Sequence, residues 1–257
     1  MTEHLLIQIS DVHLMPTGEL LHGRNPRHNL VAGVRRLEEV GLRPDVFVLT
    51  GDLANSGDPE CYEDLSDIME GAALASGATV IYLPGNHDRR PEFRRHLLGW
   101  PEDPGPINQV HWHDGLRIIS LDSSVPDQEF GLLADETIDF LGHALSTPAP
   151  DGTIVAVHHP PVPSPITMME RIMLLEGERF EEALAHTDVR LVICGHNHHE
   201  GLGSIASRPV WVSPASAYRL DVLSPLVPRD IPGCAFSRID IGARGVTASV
   251  ITIEVDA

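Results

Sequence analysis

Cysteines, basic residues and long apolar runs are all scarce in this chain, and each shortage removes a class of protein. The three cysteines, Cys61, Cys194 and Cys234, form no Cys-x-x-Cys pair, so neither a disulfide framework nor a zinc ribbon is expected. Lys and Arg together number 18 against 37 Asp and Glu, which gives a formal net charge of −19. Because nucleic-acid binding draws on basic side chains, we expect no nucleic-acid partner. A small phosphate substrate is compatible with this charge, since bound metals can dominate the local field.

The sequence also lacks the segments that would direct it to or through a membrane. No apolar run approaches the roughly 20 residues that a membrane-spanning helix needs. The N-terminal residues lack the basic and apolar regions of a secretion signal, so we expect a cytoplasmic protein with no membrane partner. Hydrophobic residues make up 42% of the chain, which is ample for a large core. Since α/β folds of roughly 250 residues often form one domain, residues 1–257 are predicted to be a single domain.

Strands and helices alternate in the first third of the sequence. Apolar runs predict strands at Leu5–Ile9, Val46–Leu49 and Thr79–Leu83. Between them, apolar positions recur at helical spacing after Pro26 and around Leu65. This β-α-β-α-β pattern predicts a parallel sheet with helices on its faces.

The rest of the sequence predicts further strands and two irregular segments. An Asp-Gly pair at 114–115 separates two apolar stretches, which predicts a β-hairpin. Strands are predicted at Thr153–Val157 and Val189–Cys194, followed by antiparallel strands in the tail. The proline-rich segments 160–171 and 213–233 are predicted to be loops beside the functional site. Two packed sheets with outer helices would account for this order.

Five short motifs rich in His and Asp follow the predicted strands. They read Asp11-Val-His13, Gly51-Asp52, Gly85-Asn86-His87-Asp88, His158-His159-Pro160 and Gly195-His196-Asn197-His198. Ligands of open α/β sheets collect beyond the carboxyl ends of the strands, so these side chains are expected to converge. The glycines within the motifs let the backbone turn tightly enough for that convergence.

The donor atoms of these motifs indicate a metal site. Imidazole nitrogens, carboxylate oxygens and one amide oxygen suit borderline divalent ions such as zinc, manganese or iron. A carboxylate can bridge two ions, and two ions about 3.5–4 Å apart suit in-line displacement at phosphorus. Each motif alone could be an ordinary turn or a surface feature. Together, in this order, they predict a two-metal phosphoesterase site.

The motifs resemble those of the calcineurin-like metallophosphoesterases, whose pattern is Asp-x-His, Gly-Asp, Gly-Asn-His-Asp/Glu, His and Gly-His-x-His. Within that family the chain is most similar to the class III 3′,5′-cyclic nucleotide phosphodiesterases. The segments that carry the finer resemblance are 9–14, 42–45, 85–90, 115–119, 158–163 and 195–198. The resemblance implies an α/β fold: a four-layer αββα sandwich of two mixed β-sheets flanked by helices.

The resemblance also implies a role for each motif residue. The metal ligands would be Asp11, His13 and His198 for one ion, Asn86, His158 and His196 for the other, and Asp52 as the bridge. The catalytic residues would be His87, Asp52 and Asn86. Substrate would contact Asn86, His87 and His198, and Asp88 would support the ligands from behind.

The implied activity is that of a dimetal phosphodiesterase. It would hydrolyse 3′,5′-cyclic nucleotides, chiefly cyclic AMP, to 5′-monophosphates by attack of a metal-bound hydroxide. The cofactors would be two divalent or mixed-valence ions, with iron and manganese favoured over zinc, magnesium or cobalt. A broader phosphodiesterase acting on 2′,3′-cyclic nucleotides or glycerophosphodiesters would use the same ligands, and a non-catalytic interaction module on this fold is a third interpretation. The resemblance further implies a homodimer.

Three neighbouring histidines are left open by the sequence. The family places its ligand two residues before the proline, which favours His158 over His159. His22 and His199 lie near motif segments, where each could either line the pocket or be part of the ordinary surface.

Overall fold

The computed structural model describes residues 2–231 and 233–255. Its strands are β1 (His4–Ile9), β2 (Val46–Thr50), β3 (Thr79–Leu83), β4 (Gln109–His113), β5 (Leu116–Leu121), β6 (Gly131–Leu132), β7 (Thr153–Val157), β8 (Leu174–Leu175), β9 (Val189–Cys194), β10 (Gly201–Ile205), β11 (Arg208–Val212), β12 (Arg219–Leu220), β13 (Asp230–Ile231), β14 (Cys234–Gly242) and β15 (Gly245–Ile253). Its helices are α1 (Pro26–Glu39), α2 (Pro59–Ser76), α3 (Arg90–Phe93), α4 (Asp135–Ala144), α5 (Thr167–Glu170) and α6 (Gly177–Leu184), and a π-helical turn over Arg94–Leu98 continues α3. Within this described part of the chain, none of the helices combines the length and the apolar character needed to cross a membrane.

Two mixed sheets form the centre of the fold. The first has five strands in the order β15-β14-β1-β2-β3, with β1, β2 and β3 parallel and β14 antiparallel to both of its neighbours. The second has six strands in the order β10-β11-β9-β7-β5-β4, with antiparallel strands at both edges. The register places Leu6 opposite Val46 in the first sheet and Ile118 opposite Ile154 in the second.

Apolar side chains divide the protein into four layers. A core that includes Leu6, Val48 and Ile193 lies between the two sheets. On the outer face of the first sheet, Leu30 of α1 and Leu65 of α2 belong to a second core. A third core includes residues of α4 and α6 on the outer face of the second sheet. The predicted αββα sandwich of two mixed sheets flanked by helices is therefore confirmed.

Local sequence signals explain where several elements begin and end. Helix α1 begins at Pro26, after the side chain of Asn25 has accepted a hydrogen bond from the backbone N–H of His28. Helix α2 ends at Gly77, whose φ of 84° is the left-handed conformation that glycine adopts easily. The hairpin between β4 and β5 turns at Asp114 and Gly115, which both have positive φ as a two-residue turn requires.

One expectation from the sequence is confirmed and one needs correction. The tail strands are antiparallel as predicted, β10 to β11 and β14 to β15, and β11 also pairs in parallel with β9. The reason is that β10 and β11 form a hairpin, and β11 rather than β10 lies next to β9. The loop segments 160–171 and 213–233 hold the short elements α5, β12 and β13. A single domain over residues 1–257 stays a prediction, and residues 1, 232, 256 and 257 lie outside the described residues.

Candidate metal centre

The motif residues meet at one edge of the sandwich, at the carboxyl ends of strands from both sheets. Strands β1, β2 and β3 of the first sheet lead into Asp11, Asp52 and Asn86, and strands β7 and β9 of the second lead into His158 and His196. Six of these motif residues are buried, with at most 5% of their surface exposed: Asp11, His13, Asp52, His158, His196 and His198. The predicted convergence is therefore present, and it joins the two sheets.

The backbone at this edge is held in an uncommon conformation. The motif residues with positive φ are Asp11 (52°), His13 (47°), Asp52 (53°), His196 (67°) and His198 (53°). Residues other than glycine adopt this region at a cost, and such strain clusters at functional sites where the surrounding structure holds it in place. The strain turns short side chains towards a common point directly after each strand.

Two glycines make room for side chains of the cluster. A Cβ atom placed on Gly51 would overlap the ring of His158, and one placed on Gly85 would overlap Asp52. The Cβ atom of any other residue at these positions would therefore collide with a side chain of the cluster.

One group of donors contains Asp11, His13, Asp52 and His198, whose ligand atoms lie within 4.8 Å of one another. The Nε2 atoms of His13 and His198 are 3.1 Å apart. Nε2 of His13 is 3.6 Å from Oδ2 of Asp52, and Nε2 of His198 is 3.5 Å from Oδ1 of Asp11.

Hydrogen bonds identify which nitrogen of these rings is bare. Nδ1 of His198 lies 3.1 Å from the backbone oxygen of Tyr218, which only accepts, so Nδ1 carries the proton and Nε2 carries a lone pair. Nδ1 of His13 likewise faces Oδ1 of Asn55 at 3.1 Å. Two lone pairs and two carboxylates then face a common point, which is repulsive unless a cation lies between them. The residues therefore fit a metal ion.

A second group of donors lies on the other side of Asp52. Nδ1 of His158 donates to the backbone oxygen of Thr50 at 2.8 Å, so Nε2 is the nitrogen that faces Asp52. This Nε2 is 3.3 Å from Oδ2 of Asp52 and 3.3 Å from Nδ1 of His196. Oδ1 of Asn86 is buried and has no hydrogen-bond partner among the residues that the structure describes. Oδ2 of Asp52 thus lies between the two groups, and the buried cluster fits a site for two metals.

His159 contacts this second group but is bound elsewhere. Its ligand atom lies within 4.8 Å of those of His158 and His196. However, its Nδ1 pairs with Oγ of Ser123 at 2.8 Å, and its Nε2 lies 3.2 Å from the backbone oxygen of Glu129. Because both ring nitrogens are engaged by Ser123 and Glu129, the geometry favours His158 as the ligand.

Burial and charge set the protonation of the metal-free cluster. Burial lowers the pKa of His13 and His196 well below the ordinary value and that of His198 to about 3, so these imidazoles are neutral. Burial acts the same way on His158, but the charge of Asp52 outweighs it and raises the pKa of His158 to about 9. Burial would raise the pKa of Asp52, yet the charge of His158 holds it well below the ordinary value. A proton on His158 thus supplies positive charge in the absence of metal.

Asp88 connects two of the motif loops from behind. Its carboxylate accepts hydrogen bonds from the backbone N–H groups of Leu53, Ala54 and Gly85 at 2.9–3.2 Å. It also accepts one from the hydroxyl of Tyr62 at 3.0 Å. Asp88 therefore fixes the loop after β2 against the loop after β3, which carry Asp52 and Asn86.

His87 lies at the rim of the cluster, exposed to the adjoining clefts. Its backbone N–H donates to Oδ1 of Asp52 at 2.9 Å, and its Nδ1 lies 2.7 Å from the backbone oxygen of Asn55. Its ring packs edge-on against that of His13 with 4.7 Å between centroids. The position allows contact with a substrate that reaches the cluster.

Some residues of the site carry no sequence signal. Tyr218 holds His198 through its backbone oxygen and packs its ring 4.2 Å from that imidazole, yet it belongs to a segment predicted only as a loop.

His22 lines the same cleft and pairs with Asp230 at 2.9 Å. His199 instead bonds Oγ of Ser164 at 2.9 Å and faces a separate groove.

Comparison with known proteins identifies the family that this fold and site define. The sequence profile of the calcineurin-like phosphoesterases matches residues 4–200, so the chain belongs to that family.

Among its relatives is a probable cyclic nucleotide phosphodiesterase of Rhodococcus erythropolis, 39% identical over 86% of this chain and 73% of the relative. A cAMP/cGMP dual specificity phosphodiesterase of Mycobacterium tuberculosis is 38% identical over 86% of this chain and 70% of the relative. The crystal structure of a dimetal phosphatase from Danio rerio has the same fold, with a TM-score of 0.68 at 13% identity over 98% of this chain and 99% of that one.

Proposed function

We propose that this protein is a metal-dependent phosphodiesterase that hydrolyses 3′,5′-cyclic nucleotides, cyclic AMP foremost, to 5′-monophosphates. The observation that carries the proposal is the buried group of imidazoles and carboxylates whose bare nitrogens face one another beneath an open cleft. The two bacterial relatives described above are named as cyclic nucleotide phosphodiesterases, which supports this substrate class.

The donors fall into two sets around Asp52. The ligands would be Asp11, His13 and His198 for one ion and Asn86, His158 and His196 for the other, with Asp52 shared. When bound, two such ions polarise phosphoryl oxygens and lower the pKa of the attacking water. The distances of 3.6 Å and 3.3 Å from Oδ2 of Asp52 to Nε2 of His13 and Nε2 of His158 support the shared role.

His87 is proposed to protonate the leaving group. Its Nδ1 is committed to the backbone oxygen of Asn55, so its Nε2 is the nitrogen available to substrate. Burial lowers the pKa of His87, but the charge of Asp52 and the hydrogen bond to Asn55 outweigh it, so the pKa is raised. A protonated imidazole can donate its proton to the ribose oxygen as the ester bond breaks.

The cleft above the cluster supports a nucleotide as substrate. It has a volume of about 370 Å³, which lies within the range of small-molecule sites. One part of its wall is polar and includes His13, Asn86, His87, His196 and His198 beside the carboxylates of Asp52, Glu129 and Asp230, and another is apolar and includes Met168, Met169, Ile172 and Leu220. The polar part suits a phosphate, and the apolar part suits the face of a base.

Iron and manganese are proposed as the metals, since imidazole and carboxylate donors suit both ions. Zinc, magnesium and cobalt are the alternatives, and metal analysis of the protein as purified distinguishes them. A cytoplasmic location is proposed with support from the three cysteines, each of which is buried and free. The homodimer stays a prediction, which light scattering tests.

A substrate panel tests the proposed activity. The manganese-loaded protein is assayed with 3′,5′-cyclic AMP, 2′,3′-cyclic AMP and a glycerophosphodiester, and kcat/KM is compared. We expect 3′,5′-cyclic AMP to rank first and Asp52→Ala to be inactive, with the exposed Asp139→Ala as the matched control. If a glycerophosphodiester ranks first, the broader phosphodiesterase replaces the proposal. If the protein holds metal yet cleaves none of the three, the assigned substrate class is wrong.

A further inference from the structure

A second group of metal-type donors lies at the opposite end of the sandwich from the catalytic centre. Ligand atoms of His4, Asp45 and His113 lie within 4.8 Å of one another. His4 begins β1, whereas Asp11 follows the end of that strand. Seven residues of extended chain correspond to roughly 20 Å, so the two groups do not share ligands or substrate.

The hydrogen bonds of His4 leave one of its nitrogens bare and buried. Nε2 of His4 lies 2.9 Å from Oδ2 of Asp151. The hydrogen bond from His4 and a second from the backbone N–H of Thr2 lower the pKa of Asp151, so it is a carboxylate that only accepts. Nε2 therefore carries the proton and Nδ1 carries the lone pair. Nδ1 is buried and has no hydrogen-bond partner within residues 2–231 and 233–255, and the side chain of His4 is 0% exposed.

A carboxylate behind an imidazole is the arrangement that metal-binding histidines use. The carboxylate fixes the tautomer, orients the ring and makes the opposite nitrogen more basic. Asp151 does this for His4. A histidine that only packed against apolar side chains would not need such a carboxylate. A buried imidazole nitrogen without a partner raises the free energy of the fold unless it accepts a proton or binds a cation.

The other two members of the group complete a set of ligands. Nε2 of His113 is 3.6 Å from Oδ1 of Asp45, close to the separation of roughly 3.3 Å between two ligands about 2.0 Å from a tetrahedral ion. Oδ2 of Asp45 is held by the backbone N–H of Leu5 at 2.7 Å, so the free oxygen is oriented. The side chains of His113 and Asp45 are 29% and 36% exposed, so an ion from solvent can reach these two ligands.

We propose that His4, Asp45 and His113 bind one zinc-type divalent cation that joins the two sheets at the end away from the catalytic centre. His4 and Asp45 adjoin β1 and β2 of the first sheet, whereas His113 ends β4 of the second. Two imidazoles and one carboxylate form a ligand set typical of zinc, with a fourth position for water. The ion stabilises the packing of the sheets and takes no part in catalysis.

Zinc counting on three single variants tests the site. The metal-stripped full-length protein is dialysed against zinc, and bound zinc per chain is measured by plasma mass spectrometry. His113→Ala and Asp45→Asn are expected to hold one ion fewer than the parent chain, and the exposed His143→Ala is the matched control that holds the full number. Asp151→Asn is expected to lower zinc affinity about 10–100-fold at this site, as such supporting carboxylates do elsewhere.

Melting curves and kinetics provide the second readout. After chelation, His113→Ala should melt at the same temperature as the parent, and addition of zinc should raise its Tm by less than that of the parent. Its kcat with manganese should equal that of the parent. Equal zinc content in the parent, His113→Ala and Asp45→Asn would overturn the proposal, because any additional ion would then lie elsewhere. A zinc-dependent rise in Tm that is the same in all three would also overturn it.

Discussion

Removal of the Asp88 carboxylate should weaken both the fold and the reaction, although Asp88 does not line the cleft above the His and Asp cluster. In Asp88→Ala, the backbone N–H groups of Leu53, Ala54 and Gly85 and the hydroxyl of Tyr62 lose their acceptor. A buried donor without a partner costs about 1–3 kcal/mol. Some of the four donors can turn to water that enters the space, so we expect a total loss of about 4 kcal/mol.

Calorimetry and enzyme kinetics measure the two consequences of Asp88→Ala. For a chain of this size, 1 kcal/mol corresponds to about 2–4 °C in Tm, so Tm should fall by about 10 °C. The matched variant Tyr62→Phe removes the hydrogen bond to Asp88 and the one that the hydroxyl accepts from the backbone N–H of Arg89, and it should lose about 2 kcal/mol. Because the loops that carry Asp52 and Asn86 are no longer fixed together, kcat of Asp88→Ala should also fall at temperatures where it is folded. A Tm within 2 °C of the parent would refute the reasoning that Asp88 fastens these loops.

Three further predictions concern the metal cluster. His87→Ala should keep its metal content but lose about 10²–10⁴-fold in kcat on cyclic AMP. The loss should be much smaller on a nitrophenyl ester, because that leaving group needs no proton. Equal losses on both substrates would refute the role of His87 as an acid. Asp52→Ala and Asn86→Ala should each hold fewer than two ions by mass spectrometry and lose activity, and full metal content would contradict their placement. In the metal-free protein the pKa of His158 is about 9. The stability that protonated His158 adds to the fold is therefore fully present below the unfolded pKa of 6.5 and is lost as pH rises through 9. Metal binding at pH 7.5 should then release about one proton from His158, which calorimetry in two buffers of different ionisation enthalpy detects; heats independent of buffer would contradict it.

The sequence predicted the part of the fold that depends on local periodicity. Strands β1, β2 and β3 are rich in apolar residues because most of their residues are buried, and that pattern is visible without a structure. The motif residues were predictable because parallel strands end at one edge of a sheet and carry their ligands there.

Contacts between distant segments were not predictable from such signals. Tyr218 reaches His198 through a backbone oxygen, which any residue could supply, so no motif marks it. The pairing of β11 with β9 depends on which strand of a hairpin turns inward, and the sequence does not encode that choice locally. His199 follows Gly195-His196-Asn197-His198 directly, yet its ring bonds Ser164 because the chain has already left the cluster.

The left-handed backbone conformation of two cluster residues was also not predictable from the sequence. Asp11 and Asp52 have φ values of 52° and 53°, where glycine would be expected from local preference. An aspartate is needed there for the proposed site, and this need overrides the local preference for glycine. Local backbone preferences therefore predict the wrong residue type at these two positions.

The division of the ligands between the sheets has a mechanical consequence. Asp11, Asp52 and Asn86 follow strands of one sheet, while His158 and His196 follow strands of the other. With two ions bound as proposed, any motion that parts the two sheets at this rim must pull His158, His196 and His198 away from the donors of the first sheet. Slow exchange of the bound metal would then indicate that the two sheets rarely part at this rim.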